Sequence, residues 1–73
     1  MTHENAIKTA KAIAARTGRH AYVVHEPMAG ETAETGFHVS DVCGVNALFP
    51  RARRIASVHP DTRVEVVGAL EAA

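Results

Sequence analysis

The chain has 73 residues, which is one domain, and its eight basic and eight acidic side chains cancel, so no net field draws it to nucleic acid or to a membrane. It is 47% apolar and only 4% aromatic, no apolar run nears the roughly 20 residues of a membrane span, and Cys43 is the only cysteine, which excludes an intrachain disulfide. A lone thiol suits a reducing cytoplasm, and the polar start Met1-Thr2-His3-Glu4-Asn5 does not fit a secretory signal.

The first expected element is a helix over residues 3–17. Ala6, Ile7, Ala10, Ile13, Ala14 and Thr17 recur at steps of three and four and mark its buried stripe. Thr2 suits the N-cap, Glu4 and Lys8 form an i,i+4 pair, and Gly18 suits a left-handed C-terminal stop. A strand follows over residues 20–26, rich in β-branched and aromatic side chains and closed by Pro27. Residues 27–35 lack bulky apolar side chains and read as an exposed hairpin loop. Residues 36–42 alternate Phe37 and Val39 with His38 and Ser40, the period of a half-buried strand. After a turn at Cys43-Gly44, Pro50 opens a second expected helix with Ala52, Ile55, Ala56 and His59 inward, ended by Pro60. Residues 62–67 form a third strand, and residues 69–73 a frayed tail.

The expected fold is therefore α+β in the order α-β-β-α-β. A three-stranded, mostly antiparallel sheet carries both helices on one face, within a single compact domain over 1–73. The third strand is expected beside the first. The other sheet face is left bare, with Val67, His38, Ser40 and one set of first-strand residues on it, and free edges remain. The pattern leaves two choices for the first strand: Ala21 and Val23, or Tyr22 and Val24, face the core.

The residues give little support for chemistry. Five histidines invite a metal test, but no C-x-x-C or H-x-x-x-H spacing occurs, and His20 and His25 differ by five, which on a strand points them apart. Only a set of His20, His38 and Cys43 across the hairpin could converge, and solvated surface histidines are the plainer reading. Cys43 has no neighbouring group to orient a base and reads as an inert thiol. No phosphate-binding glycine pattern appears. The expectation is a non-enzymatic protein with no cofactor, no metal and no small-molecule substrate.

Charge is more informative. Arg51, Arg53 and Arg54 cluster on the expected second helix. Lys8, Lys11, Arg16 and Arg19 lie on or just after the first, and the hairpin loop carries Glu26, Glu31 and Glu34. A basic helical side of this kind serves either as a solvated surface or as a contact for phosphate or an acidic protein.

The stretch Ala52-Arg53-Arg54-Ile55-Ala56-Ser57, followed by Arg63-Val64-Glu65-Val66, resembles a helix–strand segment of some very small phage-encoded anti-CRISPR proteins that act on type I complexes. The resemblance covers this stretch alone. It implies a stoichiometric inhibitor in the host cell cytoplasm that binds a protein or ribonucleoprotein partner, the type I CRISPR surveillance complex, and blocks its engagement of target DNA. Arg51, Arg53, Arg54 and Arg63 would make the charge-assisted contacts. The alternative is a self-associating accessory domain, a homodimer formed through the bare sheet face.

Overall fold

The computed structural model describes residues 1–41, 44, 47–49 and 51–66. Cys43, Pro50, Val67 and the tail over 69–73, each given a role above, lie outside the described residues. Five elements follow one another: helix α1 (His3–Thr17) and strands β1 (Ala21–His25), β2 (Phe37–Ser40), β3 (Arg53–Val58) and β4 (Val64–Val66).

Helix α1 forms where the apolar period places it. The Thr2 hydroxyl accepts from the Asn5 N–H at its start. Gly18, at φ 69°, ends it in the left-handed region with its N–H on the Ala14 carbonyl. Glu4 and Lys8 approach to 3.4 Å on the exposed side. Ala6, Ala10 and Ala14 are fully buried, with Ile7 and Ile13 packed at the flanks. Three alanines at the contact let the helix axis come close to the sheet, so valines complete the core without aromatics. Thr17, placed in the buried stripe by its spacing, is exposed instead; its hydroxyl donates to the Ile13 carbonyl at 2.8 Å.

The sheet is antiparallel throughout, in the order β2-β1-β3-β4. Ala21 and Val23 of β1 face α1, joined by Val58 and Ala56 of β3 and flanked by Phe37 and Val39 of β2. That settles the register left open by the pattern. Residues 53–58 correct the expected second helix: they are the strand beside β1. The physical reason is a bulge. Val23 pairs with Ala56 and Val24 with Arg54, so Ile55 is the extra residue. Ile55 and Ala56 both pack toward the core, which breaks the period of two and imitates a helical i,i+3,i+4 spacing. A place between two strands gives this segment two ladders of hydrogen bonds, whereas an isolated helix of this length is marginal.

Two further expectations change with it. The strand at Val64–Val66 lies at the sheet edge against β3, not beside β1. The sheet face away from α1 is not bare. Val24 on that face is fully buried, Ser57 is 8% exposed, and the Phe49 ring stacks on His38 at 5.0 Å between centroids. No helix among the described residues is long and apolar enough to cross a membrane.

Candidate binding site

Three chain segments meet at one end of the sheet. Helix α1 ends at Gly18, two residues carry the chain into β1, and β2 runs antiparallel to β1, so that Ser40 pairs with Tyr22. The space between them is an open cleft of about 370 Å³, lined by Ile13, Thr17, Arg19, His20, Ser40 and Asp41. The helix stop shapes it: the Arg19 N–H donates to the Thr17 hydroxyl at 3.3 Å, which turns the chain toward β1. Asp41 is the acidic residue of the lining, and its Oδ1 is held by the Gly44 N–H at 2.7 Å. Arg19 has no ion pair among the described residues, and neither has Arg16, which neighbours Ile13 on the same helix flank.

Behind the cleft lies a cluster of titratable groups. The His20 ring meets the His59 ring edge-on at 4.2 Å. An Arg63 guanidinium N–H donates to Nδ1 of His59 at 3.3 Å. On the other side, Nε2 of His59 stands 3.0 Å from Oε1 of Glu65. The two are close but not aligned, so the buried Nε2 has no hydrogen-bond partner among the described residues. In the turn joining β3 to β4, the Arg63 N–H donates to Oδ1 of Asp61 at 3.0 Å. That amide, with the charges of Arg63 and His59, holds the Asp61 carboxyl below its ordinary value of 3.8 against a smaller opposing effect of desolvation.

The arginines singled out by sequence do not form one surface. Arg51 is exposed in the turn before β3. Arg53 pairs in register with His25, and Arg54 leads to the other face, 5.7 Å over the Tyr22 ring. Successive strand residues point to opposite faces, so the expected cluster divides once the helix becomes a strand. Arg63 sits at the far end of β3, beside His59. Of the four, it alone reaches the cleft end of the sheet. The local likeness to anti-CRISPR proteins assumed a helix at residues 52–57, and strand geometry replaces it.

The histidines also separate. His20 meets His59, while His38 lies 3.0 Å from Glu31 and stacks on Phe49; Cys43 is outside the described residues. Among the described residues no group of three or more His, Cys, Asp or Glu is placed to hold a metal ion. Sequence reasoning named Arg19 and His20 separately, but it missed their meeting with Ser40, Asp41 and His59. The available signal was the helix stop at Gly18, which sets Arg19 and His20 at a strand entrance. No family model, curated protein or solved structure matches the chain.

Proposed function

We propose that the chain is a non-enzymatic binding protein that docks the α1 C-terminal end on the phosphate backbone of a nucleic-acid-bearing partner. One observation carries this reading: Arg19, just past α1, lines an open cleft beside Asp41 yet forms no ion pair among the described residues, whereas Lys8 on α1 is matched by Glu4. A guanidinium fork suits phosphate oxygens, which it meets with two parallel hydrogen bonds. The hydroxyl of Ser40 and the imidazole of His20 supply further polar groups in the same lining, and Arg16 adds charge on the flank. No aromatic row accompanies them, so backbone contact rather than base reading is the expected mode.

Fluorescence anisotropy with a short labelled oligothymidylate tests this. Binding is expected to be weak at moderate salt and to strengthen steeply as salt falls, with about 0.7 of a logarithmic unit of slope per phosphate contacted. Arg16→Gln with Arg19→Gln is expected to lower both affinity and slope. Binding that is absent at low salt, or unchanged by the two substitutions, would reject the reading. A type I CRISPR surveillance complex carries such a backbone in its guide RNA. Its capture by the wild-type chain, and not by Arg19→Gln, would name that partner. The dimer alternative draws less support, because the face it needed holds a buried Val24 and a stacked Phe49.

A further inference from the structure

The sheet has two edges, β2 and β4, and they are finished differently. Met1 lies along the β2 edge. The Phe37 N–H donates to the Met1 carbonyl at 3.0 Å, and the Met1 ammonium donates to the Thr35 carbonyl at 2.6 Å. Among the described residues no backbone hydrogen bond reaches the outer side of β4. An open edge of this kind is a template for a further strand.

Pairing with β3 decides which groups β4 offers. The His59 N–H donates to the Arg63 carbonyl at 2.8 Å, and Glu65 stands opposite Ser57. Arg63 and Glu65 therefore turn their backbone groups toward β3, and Val64 and Val66 turn theirs outward. The side chains alternate as well. Val64 packs toward the core on the α1 side, while Arg63 and Glu65 lie on the opposite face, 3.3 and 3.0 Å from the His59 ring nitrogens. Both remain exposed. The edge thus presents the amide and carbonyl of Val64 with a cation on one side and an anion on the other.

Such an edge is complementary to itself. With a two-fold axis at Val64, a second copy brings Val64 N–H and C=O onto the same groups of its counterpart. It also sets Arg63 opposite Glu65 twice. Those flanking positions are the pairs without backbone hydrogen bonds, where facing side chains come closest. Moving the axis to Glu65 would instead set two carboxylates opposite each other at the same close spacing, so charge selects the register.

We propose that β4 is a self-association edge, on which two copies of the chain join antiparallel about Val64 through reciprocal Arg63–Glu65 pairs. Residues that face each other across the join share a sheet face, so both α1 helices lie on one side of the continued sheet. This contact uses the strand edge, not the sheet face covered by Phe49, and it needs no nucleic acid.

Sedimentation equilibrium without oligonucleotide tests it, at protein concentrations up to about 1 mM because so short an interface is weak. Wild type is expected to show a monomer–dimer equilibrium. Arg63→Glu and Glu65→Arg, each alone, are expected to weaken it about tenfold, since two attractive pairs become repulsive. In an equimolar mixture of the two variants every facing pair is again of opposite sign, and a heterodimer is expected. A wild type that stays monomeric at the highest concentration overturns the proposal. So does an Arg63→Glu variant that associates like wild type, or a mixture of folded variants that fails to associate. Amide hydrogen exchange on wild type decides the matter where a variant does not fold. Exchange at Val64 N–H is expected to slow as protein concentration rises, and exchange independent of concentration overturns the proposal. Slowing at Val39 on β2 in place of Val64 also overturns it, because the copies would then meet at the other edge.

Discussion

Oε1 of Glu31 stands 3.0 Å from Nε2 of His38, and that one carboxylate oxygen joins the loop over residues 27–35 to strand β2. The same oxygen accepts the Met28 N–H at 2.8 Å, and Nε2 of His25 lies 2.7 Å from the Ala33 carbonyl oxygen. The loop that composition marks only as exposed is thus pinned at two points by histidines from neighbouring strands. The Met28 amide is the largest influence holding the Glu31 carboxyl below its ordinary value of 4.5. Desolvation opposes it, and His38 and the amino terminus reinforce it.

That lowering fixes a pH dependence. A carboxyl whose folded value is depressed contributes stability that is complete above its unfolded value and is lost as pH falls through the folded one. For Glu31 the loss begins below about 4.5, and for Asp61 below about 3.8. Glu31→Gln keeps an acceptor oxygen and removes only the charge. Its melting temperature is expected to lie below wild type at neutral pH and to converge with it in acid. Thermal unfolding followed at a series of pH values measures the gap, and a gap that stays constant into acid would contradict the assignment.

Two glycines are required for opposite reasons. Gly18 needs its left-handed φ of 69° and has nothing within 4 Å of a built Cβ. At Gly36 the space is missing instead, because a Cβ would stand 2.6 Å from both Cα and Cγ of Pro27. Gly18→Ala is expected to cost about 1 kcal/mol. Gly36→Ala is expected to cost about 1–3 kcal/mol by overpacking. Asparagine separates the causes, since it tolerates the left-handed region: Gly18→Asn should recover part of the loss, and Gly36→Asn should deepen it. Denaturant unfolding of the four variants reads this directly.

At the other end of α1, Thr2→Ala is expected to remove about 1 kcal/mol, because the Asn5 N–H then loses its side-chain acceptor. Thr2→Ser keeps a hydroxyl and should stay near wild type. Equal losses in the two variants by thermal unfolding would show that the cap does not act through its oxygen.

How far the fold could be read in the sequence follows from how local each signal is. Helix α1 was legible to its ends because spacing, cap and stop all lie within the segment and agree. Phe37 and Val39 gave β2 its inner face for the same reason. The segment from Arg53 to Val58 was not legible, because its bulge is a property of pairing with β1 and Pro50 before it supplied a false helix start. The binding site failed in step with it. A helix at residues 50–59 would gather Arg53 and Arg54 on one side, whereas a strand divides them and carries His59 to the edge of His20. The cleft itself joins residues up to 28 apart in the chain, Ile13 to Asp41, and no local pattern encodes that meeting.

The strand at Arg53–Val58 can be tested by one contrast. Val58 and Val66 both point toward the α1 side of the sheet, on neighbouring strands. Val58 is fully buried, whereas Val66 at the edge is 59% exposed. Val58→Ala is therefore expected to cost about 2 kcal/mol through lost burial and an unfilled space, and Val66→Ala to stay within about 0.5 kcal/mol of wild type. A helix with Ala52, Ile55, Ala56 and His59 inward would make the opposite forecast for residue 58, because Val58 lies outside that stripe. Urea unfolding of the two variants decides between them. A loss confined to Val58→Ala fits the central strand, and a Val58→Ala variant as stable as wild type would remove it.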